Sequence, residues 1–450
     1  MAGQSDCTVG GVVKPNRMLE EPLDPYLPHN GNRGYRVSRY ELELTYKVFS
    51  NRLAGKAVIT AVTTESRSKF SFDLAQNLQV SKVSVNGARG TKYAHLNNKL
   101  ILTPSTKIPA GGALSVTIAY SGNPEPIKSL WGEVGWEELD EGTLVASQPN
   151  GAASWFPCDD HPISKASYRI SITTDSPFYA LANGKLIRKQ TRASQTTWVY
   201  EQTEPMATYL ATIQIGQYEH RQVSAGPVPV FAVHPPRLRA AFDVDFGRQP
   251  QMLEVFGKLF GPYPFADYTA VVTDDELEIP IEAQGLSIFG ANHCTGRRGS
   301  ERLVAHELAH QWFGNSLTLG QWCDIWLHEG FACYAEWIWS ENSGGPSSNQ
   351  LATNAYQGLG RKSQDLIVAN PGPALMFDDR IYKRGALTLH ALRGVLGDEK
   401  FFELIRQWTT KHRHSTVSTE QFTDLASRFT DTPLRPLWDA WLNQRPLPRL

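Results

Sequence analysis

Alternation of apolar and polar residues dominates the first half of the chain. Three runs of period two, at residues 40–46, 114–118 and 168–172, are typical of strands with one buried face and one exposed face. Residues 57–62 form a more continuous β-branched run that also suits a strand. Many short strands at such spacing predict antiparallel sheets that cover one or two cores.

Turn signals separate these runs. Asn86-Gly87 and Asn183-Gly184 are dipeptides that favour two-residue turns. The second pair lies between residues 179–181 and 185–187, so it predicts a β-hairpin. Asn97-Asn98 is a weaker turn candidate.

The pattern changes near residue 220, where prolines interrupt the chain and helical periodicity follows. A short helix is predicted over residues 251–260, because Gly261-Pro262 cannot continue it. Further helices are predicted at 300–313, 326–340, 383–396, 399–411 and 418–429. We therefore predict an α+β protein, with an N-terminal β-sheet domain over residues 1–218 and a mainly helical domain over residues 219–450.

Charge excludes several kinds of partner. The 450-residue chain carries 44 Lys and Arg against 45 Asp and Glu. With no net charge to exploit and no block of basic residues, nothing supports binding to a nucleic acid or to an anionic membrane surface. Apolar residues never run together over the length that a membrane-spanning helix needs, so no membrane span is predicted.

The N-terminus and the cysteines bear on the compartment. Residues 1–20 contain no basic segment followed by an apolar stretch, so no secretory signal is predicted. The five cysteines are odd in number and include no Cys-x-x-Cys pair: Cys7, Cys158, Cys294, Cys323 and Cys333. This set favours reduced thiols in the cytoplasm, although a secreted form supplied without its leader would have the same composition.

The residues with the clearest chemistry are a pair of histidines on a predicted helix. His306 and His310 lie four positions apart, so their imidazoles project from one face and can share a metal ion. Glu307 lies roughly 100° around the helix, where a carboxylate can take a proton from an attacking water. Catalytic zinc sites use three protein ligands, and Glu329, on the next predicted helix, is the candidate for the third.

Neighbouring residues are candidates for supporting this metal site. Metal-bound histidines usually donate their other N–H to a carboxylate or a carbonyl, and Glu336 or Asp324 could accept that bond. Cys323 and Cys333 flank Glu329, and we interpret them as small buried residues because the three-ligand set is already complete.

These motifs resemble those of the gluzincin zinc aminopeptidases, a family that includes aminopeptidase N and the leukotriene hydrolases. The resemblance rests on residues 306–315, His-Glu-Leu-Ala-His-Gln-Trp-Phe-Gly-Asn, and on residues 326–332, Trp-Leu-His-Glu-Gly-Phe-Ala. It implies an antiparallel β saddle or sandwich followed by a thermolysin-like, mainly helical zinc peptidase domain with one Zn²⁺ per chain. His328 stands where the family usually has Asn, next to the implied ligand Glu329.

The resemblance also implies a residue that binds the substrate's free α-amino group. Residues 279–285 occupy the place of the family's Gly-x-Met-Glu-Asn motif, and Glu282 matches its glutamate. The motif is degenerate, because Ile279, Ile281 and Ala283 replace the usual Gly, Met and Asn. Four nearby acidic residues are competing candidates: Asp274, Asp275, Glu276 and Glu278.

Two further roles are implied in the same way. Residues 382–387 resemble a Tyr-x-x-Gly-Ala segment, whose tyrosine donates a hydrogen bond to the developing oxyanion; this assigns Tyr382 to catalysis. Residues 148–166 resemble a stretch of the β domain, whose glutamine reaches the cleft near the first substrate residue; this makes Gln148 a candidate for substrate binding.

The combined prediction is a zinc-dependent aminopeptidase acting on peptides with a free N-terminus. The alternatives are an endopeptidase or an epoxide hydrolase on the same fold, or an inactive peptide-binding module, which the presence of Glu307 and Tyr382 disfavours. Larger family members continue into a C-terminal helical domain, for which this chain leaves no room, so we expect a more open cleft. The preferred N-terminal side chain, the physiological substrate and the oligomeric state are not determined by the sequence.

Overall fold

The computed structural model describes residues 23–88 and 90–450. The expectations for Cys7 and for a leader at the N-terminus lie outside these residues. Among the described residues, no helix combines the length and the apolar character needed to cross a membrane.

The first half of the described chain is built from strands, as its alternating pattern predicts. Fifteen are present: β1 Tyr35–Lys47, β2 Arg52–Thr63, β3 Phe70–Asp73, β4 Leu78–Val85, β5 Lys92–Leu96, β6 Lys99–Thr103, β7 Ala113–Gly122, β8 Ile127–Ser129, β9 Gly132–Leu139, β10 Gly142–Ala146, β11 Ala166–Asp175, β12 Tyr179–Ala182, β13 Lys185–Arg192, β14 Gln195–Met206 and β15 Ile213–Gly216. They form a seven-stranded sheet in the order β13-β14-β11-β1-β2-β7-β4, a five-stranded sheet β12-β15-β10-β9-β8 and a three-stranded sheet β3-β6-β5. Along β1 the apolar residues Tyr40, Leu42 and Leu44 are buried while Glu43 is exposed, so the alternation places one face against the core.

One pairing departs from the antiparallel expectation. β1 and β11 run parallel at the centre of the large sheet, with Tyr40 opposite Tyr168. A parallel neighbour requires a long crossover, and β2 to β10 lie between the two strands in the chain. Alternation reports which face of a strand is buried but carries no information on its direction.

The hairpin predicted at Asn183-Gly184 is wrong. β12 pairs with β15 in one sheet and β13 pairs with β14 in another, so the dipeptide connects two sheets. Asn183 is fully buried, and its side chain bonds Leu210 O at 2.9 Å and Gln284 O at 3.0 Å. The weaker candidate Asn97-Asn98 forms the hairpin between β5 and β6, because both residues adopt left-handed φ angles of 52° and 59°.

The second half combines a mixed sheet with helices. The sheet has the order β16-β17-β18-β20-β19, built from β16 Glu219–Ser224, β17 Val230–His234, β18 Tyr268–Val272, β19 Ile281–Ala283 and β20 Leu286–Phe289. Two short strands, β21 Thr318–Leu319 and β22 Thr416–Val417, pair with each other. The α-helices of the described residues are α1 Arg239–Asp245, α2 Gln249–Phe260, α3 Glu301–Ala309, α4 Trp326–Asn342, α5 Ser348–Leu359, α6 Asp379–Leu396, α7 Asp398–Lys411, α8 Thr419–Ala426 and α9 Arg435–Trp438.

These elements confirm the predicted α+β class, with helix ends that differ from the sequence estimates. α3 ends at Ala309 instead of residue 313, since the next residues form a wider turn in which Asn315 N–H bonds His310 O. α6 begins earlier than residue 383, because the Asp378 side chain caps it by accepting from Arg380 N–H. The boundary at residue 218 stays a prediction; β15 ends at Gly216 and β16, in the next sheet, begins at Glu219.

Candidate metal centre and substrate cleft

Three side chains from two helices meet at the floor of a cleft. His306 lies on α3, His310 directly follows that helix, and Glu329 lies in the first turn of α4, which packs against α3. Glu329 Oε2 is 3.3 Å from His306 Nε2 and 3.6 Å from His310 Nε2. Ligand atoms about 2.0–2.1 Å from a tetrahedral ion are about 3.3–3.4 Å apart, so these separations fit one zinc ion between the three atoms.

The remaining nitrogen of each histidine is already engaged. His306 Nδ1 is 2.8 Å from Glu336 Oε1, and His310 Nδ1 is 3.0 Å from Phe313 O. Because a carboxylate and a carbonyl can only accept, both Nδ1 atoms carry the hydrogen and both Nε2 lone pairs face the shared position. Two neutral imidazole nitrogens and one carboxylate are a donor set that suits zinc.

A second set of ligand atoms lies alongside. Atoms of Glu282, Glu307 and His310 also lie within 4.8 Å of one another, as those of His306, His310 and Glu329 do. The second set shares His310 but includes two carboxylates, and Gln148 Nε2 already donates to Glu282 Oε1 at 2.6 Å. The histidine-rich set with fixed tautomers is therefore the better fit for zinc.

Strong electrostatic coupling holds the first set together. Burial alone would raise the pKa of the Glu329 carboxyl, but His310 and His306 hold it well below its ordinary value. Burial lowers the pKa of His306, yet its contacts with Glu329 and Glu336 raise that pKa to about 9. The carboxylates thus stabilise positive charge at this position, and a bound metal ion would take the place of the proton on the His306 Nε2 atom.

Glu307 differs from the other buried carboxylates of the cleft. Its Oε2 atom is buried and has no hydrogen-bond partner among the described residues. Burial raises the pKa of Glu307 to about 7, against the opposing influence of His306 and His310. A carboxylate with a free oxygen and a pKa near neutrality is suited to exchanging a proton with a bound water.

Glu282 lies on the edge strand β19, in the hairpin that β19 forms with β20. Its carboxylate accepts from Gln148, which reaches it from the N-terminal half, and burial raises its pKa. Gln311 holds this hairpin, since its Oε1 accepts from Gly285 N–H at 2.9 Å and its Nε2 donates to Ala283 O at 3.1 Å. The four competing acidic residues at 274–278 do not line the cleft.

Tyr382 lies in the first turn of α6 and faces the metal set. Its ring stacks on that of His306 with 6.0 Å between centroids. Burial raises the pKa of its hydroxyl well above the ordinary value, so the group is a neutral donor at physiological pH. Together these residues line a cavity of about 220 Å³.

Of the other residues that the sequence suggested near the metal, one contacts a proposed ligand and the rest have other surroundings. Glu336 accepts from His306, whereas Asp324 accepts from Thr419 Oγ1 at 2.6 Å and so supports α8. His328 is fully buried with its pKa lowered to about 3, and its Nε2 accepts from Leu319 N–H at 2.9 Å. Cys323 and Cys333 are free thiols outside both sets of candidate ligand atoms.

Sequence reasoning missed several cleft residues. Gln311 stands directly after His310, so its position in the metal motif was the available signal. Arg302 and Lys383 line the same cavity, and only the folding of α3 and α6 around it brings them there.

Comparisons with known proteins bear on the whole chain. The family model "Peptidase M1 N-terminal domain" matches residues 37–210, and "Peptidase family M1 domain" matches residues 244–441. Aminopeptidase N of Lactococcus lactis is 26% identical over 94% of this chain and 51% of its own length. Aminopeptidase M1-D of Oryza sativa is 25% identical over 91% of this chain and 50% of its own length. The chain thus spans about half the length of these relatives.

Solved structures match over nearly the whole chain. The M1 zinc metallopeptidase of Deinococcus radiodurans is 29% identical with a TM-score of 0.87, over 96% of this chain and 99% of that one. Yeast LTA4 hydrolase, at 19% identity and a TM-score of 0.80, shares the fold over 96% of this chain and 71% of its own. Since the two family models together match most of the sequence, the chain belongs to peptidase family M1.

Proposed function

We propose that the protein is a zinc-dependent aminopeptidase that removes the N-terminal residue from peptides. The observation that carries this proposal is the position of Glu282. Its buried carboxylate lies within 4.8 Å of Glu307 and His310, so a cationic substrate group held there would lie beside the metal set. An anchor for the ammonium group at this distance limits cleavage to the first peptide bond.

His306, His310 and Glu329 would hold one Zn²⁺ per chain. When bound, zinc supplies Lewis acidity that polarises the scissile carbonyl and makes water a better nucleophile. The fit rests on the separations of the three ligand atoms and on the tautomers that Glu336 and Phe313 O impose.

The remaining steps belong to protein side chains. Glu307 Oε2 accepts a proton from the attacking water and passes it to the leaving amine. The Tyr382 hydroxyl donates a hydrogen bond to the oxygen of the scissile carbonyl as negative charge develops on it. Glu282 pairs with the substrate ammonium, and Gln148 positions the Glu282 carboxylate through the 2.6 Å bond to Oε1.

The relatives support this reading. Several similar proteins are aminopeptidases, and a variant of the Deinococcus M1 metallopeptidase has been solved with a Tyr-Ser-Ala substrate. We propose that this chain also acts on peptides with a free N-terminus. We further propose that its two domains meet near residue 218. The described cysteines are free thiols, which supports a reducing compartment such as the cytoplasm.

The test compares alanine p-nitroanilide with its N-acetylated form. We expect the free amine to be hydrolysed faster by about tenfold or more, because acetylation removes the charge that Glu282 pairs with. Glu282→Gln should abolish most of that discrimination, while Glu278→Gln, which alters an exposed carboxylate outside the cavity, should retain it.

Other outcomes would identify the alternatives. Equal rates on both anilides would contradict the ammonium anchor, and cleavage inside a blocked peptide would indicate an endopeptidase. Turnover of an epoxide without peptide hydrolysis would indicate an epoxide hydrolase. Zinc-loaded protein that binds peptides without any turnover would indicate a binding module.

A further inference from the structure

Acidic and basic side chains line different parts of the cleft. Glu282 lies next to His310, whereas two cations that also line the cavity, Arg302 and Lys383, lie beyond His306. Neither cation has a role in the mechanism proposed above. Both approach the carboxylate of Glu336, which in turn contacts the His306 ring.

Arg302 lies one helical turn before His306 on α3. Its Nη1 atom is 2.9 Å from each carboxylate oxygen of Glu336, while its Nε and Nη2 atoms bond no residue that the structure describes. The side chain is 57% exposed, in contrast to the 2% of Glu336. A guanidinium presents its N–H groups in a planar fork that matches a second carboxylate, so Arg302 retains donors for a ligand.

Lys383 also has unused donors. Its Nζ is 3.3 Å from Cys333 Sγ and 4.0 Å from Glu336 Oε2. A thiol is a weak acceptor, and burial raises the pKa of Cys333 to about 12, so the thiol is neutral and does not balance the ammonium.

This part of the cleft therefore carries a surplus positive charge. Glu336 is shared by Arg302 and Lys383. Asp379, which also lines the cavity, pairs with Lys362 at 2.5 Å and lies near enough to Arg302 to act on it electrostatically, so three cations face these two carboxylates. An anionic group of the substrate would neutralise this surplus positive charge.

Two short contacts place the Arg302 guanidinium close to the ring of the proposed ligand His306. Glu336 Oε1 lies 2.8 Å from His306 Nδ1 and 2.9 Å from Arg302 Nη1. The guanidinium is thus within the span of about two extended residues, at roughly 3.5 Å per residue, from the His306 ring. A carboxylate at that distance ends a peptide of two or three residues.

We propose that Arg302 and Lys383 bind the C-terminal carboxylate of a dipeptide or tripeptide whose ammonium group Glu282 holds. This inference rests on the proposed aminopeptidase function and adds to it a substrate class, short peptides with both termini free.

The first measurement is the ratio of kcat/KM for trialanine to kcat/KM for trialanine amide. The wild-type protein should favour the free acid by about tenfold or more, because the amide cannot form the charge-assisted bonds. Arg302→Gln and Lys383→Gln should each lower the ratio, and the double variant should bring it close to one. Lys400→Gln, which alters an exposed cation outside the cavity, should keep the wild-type ratio.

The ratio separates this role from a structural one. If the two cations only orient Glu336, their substitution lowers both rates together and leaves the ratio unchanged, which would overturn the proposal. The cations could instead bind a carboxylate on a substrate side chain. A trialanine amide with glutamate at its second or third position tests this alternative. Recovery of the rate by that peptide would assign the cations to a substrate side chain and overturn the C-terminal assignment.

Calorimetry provides a readout that needs no turnover. Zinc-loaded Glu307→Gln should bind trialanine more tightly than trialanine amide, and the added Arg302→Gln and Lys383→Gln substitutions should remove that difference. Equal affinities in the Glu307→Gln background would contradict the proposal. If acid and amide react equally while N-acetylation still blocks hydrolysis, the carboxylate site fails and the aminopeptidase function stands.

Discussion

At the scale of single residues, the two histidines of the cleft are held by hydrogen bonds, whereas Glu307 has a carboxylate oxygen that is not. His306 is held by Glu336 and His310 by Phe313 O, so the atoms that would contact a metal are oriented in advance. Glu307, between them in sequence, keeps one buried oxygen without a partner. A buried acceptor left unpaired is costly, and the cost is understandable where a water must be bound and deprotonated.

Replacing Glu307 by Gln tests this division. The proposed ligands are untouched, so we expect the variant to bind zinc as the wild type does. The amide cannot accept the proton, so kcat should fall by about 10²–10⁴-fold. Metal analysis measures the zinc content, and kcat is measured on alanine p-nitroanilide. Glu254→Gln, which alters an exposed carboxylate, is the control. A zinc-loaded Glu307→Gln protein with the wild-type rate would contradict the general-base role.

At the scale of elements, α4 and α6 pack closely together beside the cleft. Gly330 and Gly385 face each other there, and a Cβ added to Gly330 would lie 2.8 Å from the Gly385 Cα. The two helices can approach this closely because neither residue has a side chain. That approach places Glu329 and Tyr382, which neighbour these glycines in sequence, on the same cavity.

Gly330→Ala should therefore destabilise the protein. Backbone atoms cannot yield as a flexible side chain would, and overpacking costs about 1–3 kcal/mol. Gly394→Ala on α6 is the matched control: its new Cβ meets no atom within 4 Å, and alanine in a helix is more favourable than glycine by about 0.5–1 kcal/mol. In denaturant unfolding, the free energy of unfolding should be lower than that of the wild type for Gly330→Ala and higher for Gly394→Ala. A Gly330→Ala protein as stable as the wild type would refute the close-packing argument.

At the scale of the whole molecule, the cleft is formed by both halves of the chain. Gln148 crosses from the N-terminal half to Glu282, and Asn183 bonds Gln284 O beside the same hairpin. Lys165 makes a third connection, since its Nζ lies 3.1 Å from Asn315 O, 2.8 Å from Ser316 O and 3.0 Å from Thr318 Oγ1. The first two are carbonyls of the turn that follows the metal motif, so the β half supports the loop behind His310.

Lys165 should make stability depend on pH. Burial lowers its pKa to about 7, whereas an unfolded lysine titrates at about 10.4. Between these values the unfolded chain binds a proton that the native protein has lost, so the free energy of unfolding rises with pH across this window. The wild type should gain stability relative to Lys165→Met from pH 7 towards pH 10, as measured by denaturant unfolding; exposed Lys400→Met should show no such trend. A pH-independent difference between the wild type and Lys165→Met would contradict the prediction.

Much of the architecture could be predicted from local patterns. Alternation predicted several of the longer strands of the first half, and helical periodicity predicted most helices of the second, because one buried face repeats every two residues in a strand and every three or four in a helix. Strand direction and sheet membership were not predictable in this way. β1 and β11 are parallel, and Asn183-Gly184 joins two sheets, because partners distant in sequence decide both features.

The sequence by itself determined which residues are chemically able to form a metal site, because His306, Glu307, His310 and Glu329 have spacings that two helices must bring near one another. Only the tertiary structure decided what surrounds them. Glu282 rather than its acidic neighbours lines the cleft, Glu336 rather than Asp324 supports His306, and Arg302 and Lys383 lie at the same cavity. These choices depend on how β19, α3, α4 and α6 pack, and packing joins residues whose separation along the chain carries no local signal.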